Sequence, residues 1–373
     1  MKKIFLLLFA TVSLFGCSQV QANIFNNGNR KIIMGKLFKI DISNDGKERQ
    51  FPFVYKFGNN IFTSYMQHHD AVLAEAEDAL IISRDNGKTW GEKIINPDFY
   101  FSSMFEKEGI LYGVVYPTYP KSFTREKMIY WTSIDMGKSW KRQVGIVHAP
   151  RDHLFVGSRG IWGSMLFHRG MKVMKDGSVQ GIMYGHFYNE KKFTVALVRT
   201  DDNGKNWEIG AIVASTPNTD TTQKIPGYTE PTFVKTRDGS MLCVMRINSY
   251  LPLVQSRSHD NGATWSNPEL LPGLTATASE SVDPQLLLLK NGVLALTYGR
   301  PNDKMAFAAD GCGYHWDTSM NTYQGETTGY TGIVEIAPDK ILLVADQGRT
   351  GAKQMAIWGR EIEVKIKPKS IQK

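Results

Sequence analysis

Four places along this 373-residue chain gather residue types that can do chemistry. Arg49-Gln50-Phe51-Pro52-Phe53-Val54 is followed by an apolar run and then by His68-His69-Asp70. Tyr228-Thr229-Glu230-Pro231 leads through the Asp238-Gly239 turn to Arg246. Asp283-Pro284-Gln285 leads through Asn291-Gly292 to Tyr298-Gly299-Arg300-Pro301, and Gly329-Tyr330-Thr331-Gly332 comes last. Together they supply two acids (Asp70 and Glu230), three arginines (Arg49, Arg246 and Arg300) and a tyrosine, Tyr330. Positioned carboxyl groups can pass protons, and guanidinium forks can hold an anion at two points. These residues are scattered, so the chemistry requires a fold that brings distant segments to one place.

A repeat supplies that fold. Ser83-Arg84-Asp85-Asn86-Gly87-Lys88-Thr89-Trp90 recurs as Ser133 to Trp140, Thr200 to Trp207 and Ser258 to Trp265, at intervals of 50 to 67 residues. A looser fifth copy runs from Asp310 through Gly313 to Trp316 with one residue inserted. The pattern is Ser/Thr-x-Asp-x-Gly-x-x-Trp, one supersecondary unit used several times. Asp accepts from nearby backbone N–H groups, Gly takes the φ > 0 position, and Trp anchors the turn by burying a large ring. Apolar runs such as Ala79-Leu80-Ile81-Ile82 and Phe193 to Val198 flank the copies, so each box is a hairpin turn between strands. Asp-Gly and Asn-Gly turns at 176–177, 238–239 and 291–292 separate further apolar runs.

The boxes resemble the Asp-box (BNR) repeats of the sialidase-like β-propellers. The resemblance implies an all-β, six-bladed β-propeller over residues 32–368, with a funnel at the axis lined by the innermost strand of each blade. Lys31 to Ile42 and Glu361 to Lys367 both alternate apolar and polar, and two terminal strands sharing one blade would close the ring. Residues 71–79 are expected to form a loop or one short turn.

In order along the chain, Asp70, Glu230, Arg246, Arg300 and Tyr330 match the acid, base, arginine and tyrosine positions of the exo-sialidases. That resemblance implies an exo-glycosidase that removes a terminal acidic sugar, most simply sialic acid, from glycans with retention. Tyr330 is then the nucleophile, Glu230 the base that takes its proton, and Asp70 the acid/base. Arginines would hold the sugar carboxylate, and a neutral tyrosine avoids the repulsion an anionic nucleophile would meet. One position departs. The family's first arginine lies two residues before the proline, where this chain has Gln50, and Arg49 is one place further back. A one-residue slip in a strand turns a side chain to the other face, unless a bulge restores Arg49 to the pocket. Without Arg49 the substrate could be a uronic acid or a neutral sugar, and His68, His69 and His186 would suit a modified pocket. A polysaccharide lyase using those histidines with Tyr330, and a non-catalytic glycan-binding lipoprotein, stay open beside the hydrolase.

Met1-Lys2-Lys3 followed by Ile4 to Ala10 reads as a signal peptide within residues 1–22. Leu14-Phe15-Gly16-Cys17 resembles a bacterial lipobox with Cys17 as the lipidated residue, and Val20-Gln21-Ala22 resembles an ordinary cleavage site. Either way the expectation is export to the periplasm or cell surface, with a membrane anchor in the first case. Residues 23–31 read as a linker and 369–373 as a tail. Cys243 and Cys312 remain; a buried free thiol suits Cys243 in its apolar run, and a disulfide between the two is the alternative. No Cys/His spacing suits a metal, no cofactor is implied, and no nucleic-acid motif is present. The net charge of +8 suits an anionic substrate or membrane surface.

Overall fold

The computed structural model describes residues 23–27, 30–70, 77–151, 153–155, 164–188, 190, 192–216, 227–247, 251–274, 281–317, 319–349, 351–352 and 354–367. The expected signal peptide, Cys17 and the 369–373 tail lie outside these residues. Among the described residues all regular structure is β-strand, as expected.

One plan recurs: four antiparallel strands laid down in chain order. Gln50–Phe57, Asn60–Met66, Asp78–Ser83 and Ile94–Asn96 form one such sheet. A second starts at Thr229–Lys235 and a third at Val282–Leu288. Two more units, starting at Phe101–Lys107 and Met165–Val173, are fused at their outer edges, where Ile146 to His148 runs parallel to Asn206 to Glu208. The last sheet starts at Thr331–Ala337 and is completed from both ends of the chain: Arg30–Ile42 pairs antiparallel with Ala356–Ile366, Ile33 opposite Glu363. Ile362, Val364 and Ile366 point from this strand into the core, which accounts for the C-terminal alternation. The strand Asp78–Ser83 takes in the last two residues of the segment expected as a loop over 71–79, of which residues 71–76 lie outside the described residues.

The linker expected over residues 23–31 is largely strand. Asn23–Asn27 pairs with the start of Arg30–Ile42, Asn23 opposite Met34. That strand would otherwise leave an open edge, and polar side chains do not stop its N–H and C=O groups from taking a backbone partner.

The Asp boxes link the third and fourth strands of their sheets. Asp85 accepts from the Thr89 amide at 2.8 Å and the Thr89 hydroxyl at 2.6 Å, while the Gly87 amide donates to Ser83 Oγ at 2.8 Å. Asp135, Asp202 and Asp260 repeat the arrangement with Ser139, Asn206 and Thr264. The residue before each glycine is also left-handed, with φ of 65° at Asn86, 56° at Met136, 60° at Asn203 and 57° at Asn261. Trp207 and Trp316 are fully buried, whereas Trp90, Trp140 and Trp265 are half-buried. Burying roughly 200 Å² of ring contributes about 5 kcal/mol at ~25 cal/mol per Å². Cys243 and Cys312 are both buried free thiols.

The apolar core is divided among the gaps between neighbouring sheets. One cluster, for instance, joins Val293 and Phe307 of one sheet to Ile333, Leu343 and Trp358 of the next. The first strands pack on one another in a closed cycle: Gln50–Phe57 on Phe101–Lys107, then Met165–Val173, Thr229–Lys235, Val282–Leu288, Thr331–Ala337 and back to Gln50–Phe57. The four places singled out from sequence lie at the chain-starting ends of four of these strands and at the finishing ends of the second strands beside them, as where Thr229 faces Arg246 and Val282 faces Gly299.

Candidate active site

Three of those first strands open with the same device. Phe51, Glu230 and Asp283 each precede a proline, and each is left-handed, with φ of 56°, 48° and 47°. Each sits where the ladder slips register, between Gln50 and Phe53, Thr229 and Thr232, and Val282 and Gln285. Proline has no N–H to place in a ladder, so a bulge accommodates it, and the bulge re-aims the neighbouring side chain. Holding a non-glycine residue in this region costs about 1–3 kcal/mol, and such strain gathers at functional sites.

The device shapes a pocket of about 420 Å³ at the end of the strand cycle. Asp70, Glu230, Arg246, Arg300 and Tyr330 all line it, with Phe51, Met66, Leu166, Phe193 and Ile247 as apolar wall and Thr229, Tyr116 and Tyr184 completing it. Tyr330 Oη donates to Glu230 Oε1 at 2.6 Å. Arg246 Nη1 donates to the same oxygen at 2.5 Å, and the amide of Asp283 donates to Glu230 Oε2 at 2.9 Å. The Tyr116 and Tyr184 hydroxyls meet nearby. Arg300 Nε donates to Thr328 O at 2.6 Å, and among the described residues no carboxylate is paired with its guanidinium.

Burial, reinforced by the charge of Glu230, pushes the Tyr330 phenol well above its ordinary value, so the resting residue keeps its proton. Asp70 stands at the rim, open to solvent on one side. Partial burial and then Glu230 raise its carboxyl above the ordinary value, against the lowering influence of His69 and Arg300. Burial would lower Arg246, and Glu230 more than offsets it.

Arg49 does not reach this pocket. A bulge is present, but it turns Phe51 inward. The Phe51 ring meets Tyr330 edge-on, and its amide donates to Asp346 Oδ2 at 3.0 Å. Arg49 is buried elsewhere, with Nη2 on both oxygens of Asp45 at 3.0 Å, Nε on Asp41 and Nη1 on Glu48 O at 2.9 Å. Gln50 donates to His68 O at 2.6 Å. The substrate-binding expectation for Arg49 is therefore corrected: its charge is consumed by two aspartates. His186 is buried behind Phe193, ring centroids 4.0 Å apart, and Phe193 rather than His186 lines the pocket. His69 is exposed beside Asp70 and is not among the lining residues either. Sequence reasoning missed Phe51, Tyr116, Tyr184 and Phe193 as pocket walls. The shared X-Pro position of Phe51, Glu230 and Asp283 was the signal available for the first.

A family model described as a BNR repeat-like domain matches residues 104–331, more than half of the chain. The chain belongs to the BNR repeat-like domain family. No curated protein matches its sequence. Among solved structures, it is similar to a protein of unknown function from Dyadobacter fermentans at 17% identity and a TM-score of 0.66, covering 88% of this chain and 99% of that one. A Hadza microbial sialidase aligns at 15% identity and a TM-score of 0.61, covering 84% of this chain and 65% of that one. Trypanosoma rangeli sialidase in complex with the inhibitor DANA aligns at 12% identity and a TM-score of 0.58, covering 84% and 55%. The chain thus spans about two thirds of one sialidase and about half of the other. With the BNR repeats, these likenesses imply a β-propeller of sialidase-like fold.

Proposed function

We propose that this BNR-repeat protein is a six-bladed propeller and an exo-glycosidase that removes a terminal acidic sugar with retention of anomeric configuration. The observation that carries the reading is the 2.6 Å hydrogen bond from the Tyr330 phenol to Glu230, inside a pocket with Asp70 at its rim. In the first step Tyr330 Oη attacks the anomeric carbon and its proton passes to Glu230. Asp70 gives its proton to the leaving oxygen as the glycosidic bond breaks. In the second step Asp70 draws a proton from water, whose oxygen displaces Tyr330, and Glu230 returns the phenol proton. The cycle of first strands supports the count of six blades.

Charge balance supports an anionic sugar. With Asp70 protonated, as an acid must be, the pocket holds, among the described residues, one carboxylate, Glu230, against two guanidinium groups. Glu230 is engaged by Arg246, which leaves Arg300 to meet a carboxylate on the substrate. The test is release of a fluorescent alcohol from an aryl α-sialoside by the mature protein, with Tyr330→Phe beside it. Release that vanishes in the variant supports a sialidase. Turnover equal in both would sink the Tyr330 assignment.

The position of Phe51 favours a second reading. Two arginines among the described lining residues, with an aromatic wall, suit a sugar with a less crowded anomeric centre than sialic acid, such as a uronic acid. The same two proteins assayed on aryl uronides separate the readings, and a lyase would be recognised by a product absorbing in the near ultraviolet.

We also propose export with a lipid on Cys17, on the strength of the basic and apolar N-terminal sequence. Labelling with an alkyne fatty acid should be lost in Cys17→Ala, and labelling that persists would overturn the anchor.

A further inference from the structure

We propose that Arg169 and Asp283, buried beneath the pocket, are positioning residues that set the Glu230 carboxylate against Tyr330; the proposal rests on the glycosidase reading of that pair. Arg169 is 2% exposed and Asp283 0%. Arg169 Nε donates to Asp283 Oδ1 at 3.1 Å and Nη2 to Oδ2, a two-point fork. Its Nη1 donates to Gln285 Oε1 at 2.7 Å, and its Nη2 also reaches Pro52 O at 3.3 Å. The guanidinium lies over the Phe53 ring, 4.4 Å from the centroid. One side chain on Met165–Val173 therefore grips the first strands that begin at Gln50 and Val282.

The consequence reaches Glu230 through backbone. A carboxylate can turn about its last bond, a soft two-fold torsion. Here its two oxygens have different work. Oε1 receives Tyr330 and Arg246, and Oε2 receives the amide of Asp283 at 2.9 Å. That amide is aimed by a left-handed residue, φ 47°. The Arg169 fork holds Asp283 there by its side chain. Asp283 Oδ2 in turn accepts the Thr331 amide at 3.2 Å, the residue next to Tyr330. His168 adds a second brace: its Nδ1 donates to the carbonyl of Pro231, next to Glu230, at 2.9 Å, and its Nε2 lies 3.4 Å from Asp283 Oδ1. Both halves of the Tyr330–Glu230 pair are thus referred to one aspartate. A buried ion pair is a poor stabiliser compared with apolar packing, and defining a unique geometry is the role that suits it.

The test reads the Tyr330–Glu230 contact without any substrate, so a failed glycosidase assay cannot be mistaken for its failure. 3-Fluorotyrosine is placed at position 330 and its fluorine resonance recorded. Glu230→Gln supplies the reference for a phenol that has lost its carboxylate partner. Arg169→Lys keeps the charge but cannot fork both oxygens of Asp283. Arg169→Met combined with Asp283→Asn removes both charges, so that neither is left unpaired. The expected result is that the resonance in both variants moves at least half-way toward the Glu230→Gln position or splits into several lines, with the strand signature in circular dichroism retained. A resonance unmoved in either folded variant would overturn the proposal, whatever the melting temperature did. So would variants that all fail to fold, because the pair would then be a requirement of the fold and not of the contact.

Discussion

The ring of Phe51 meets the ring of Tyr330 edge-on, with centroids 4.6 Å apart and planes at 74°. Phe51 is left-handed, with φ 56°, because it occupies the bulge ahead of Pro52. Two substitutions separate the ring from the backbone. Phe51→Ala should lose about 3–5 kcal/mol, the usual cost of emptying a buried phenylalanine site. Phe51→Gly loses the same ring but is free of the left-handed penalty, so it should be the more stable of the two by about 1 kcal/mol. In an ordinary strand the order is reversed. Urea midpoints decide it, and a glycine variant weaker than the alanine variant would refute the reading of this turn.

Arg49 and Arg300 should fail in different ways. Removing Arg49 takes away the buried guanidinium shared by Asp41 and Asp45, which are themselves partly exposed and keep Lys93 at 3.5 and 3.4 Å, so the loss should be about 1.5–3 kcal/mol, that of hydrogen bonds to a charged group. Arg49→Met should therefore lower the denaturation midpoint, with the affinity of the folded fraction for an acidic sugar unchanged. Arg300→Met removes one hydrogen bond to Thr328 O, worth about 1 kcal/mol. It should weaken binding of the acidic sugar by about 10–100-fold, the range of a charge-assisted contact of ~1.5–3 kcal/mol. Calorimetric titration beside a urea melt checks both. An Arg49 variant of full stability and lost affinity would restore the three-arginine reading.

Much of this was readable beforehand, for physical reasons that differ by residue. The box around Asp260 is local: its partners Ser258 and Thr264 lie within four positions, so short-range geometry declares itself in the sequence. The pairing of Arg30–Ile42 with Ala356–Ile366 was suggested by alternation at both ends, although nothing local specifies the partner. The placing of Glu230 and Tyr330 together, 100 residues apart, was inferred through the family pattern, because periodicity says nothing of which strand ends converge. Arg49 escaped the reading because its fate depends on Asp41 and Asp45 and on one bulge, which no count of alternating residues reveals. Arg169 escaped because its neighbours, His168 and Gly170, form no motif, and its partner Asp283 is 114 positions away.

On the glycosidase reading, which makes Tyr330 the nucleophile and Asp70 the acid/base, the two should be separable by the leaving group. Tyr330→Phe removes the nucleophile and should reduce turnover at least about 10³-fold on every substrate, within the range typical of such groups. Asp70→Ala removes the proton donor, which matters little when the leaving aryl alcohol is already acidic. That variant should release one equivalent of the alcohol in a burst and then stall, because no base activates water for the second step. On an unactivated glycan it should show no burst. Asp70 is raised above its ordinary value, so wild-type turnover should be lost as pH rises through that raised value. Stopped-flow release curves on the two substrate types test this, and an Asp70→Ala curve without a burst on the aryl glycoside would assign the acid/base role elsewhere.

Stability should peak in mildly acidic solution, because two sets of carboxylates pull in opposite directions. Asp78 and Asp346 are each pushed up to about 6, chiefly by burial. Unfolded, they would titrate near ~3.9. Between those values the folded state binds the extra proton, so stability falls as pH rises from about 4 to about 6, by at most about 3 kcal/mol for each group. His68 acts in the same direction. Burial would lower it, but its hydrogen bond to Asp78 raises it, and the stability it contributes is lost as pH rises through the raised value. The Asp boxes set the other limit. Asp85 and Asp260 are held down to about 2, chiefly by the Thr89 and Thr264 hydroxyls, so their contribution is present above about 4 and lost as pH falls toward 2. Urea midpoints at pH 3, 4.5 and 7.5 should therefore be highest at 4.5. Asp78→Asn should flatten the decline toward 7.5, and Asp260→Asn the decline toward 3. A midpoint that rose steadily from 4.5 to 7.5 would show that the buried carboxylates are ionised at little cost, through contacts other than those that surround them here.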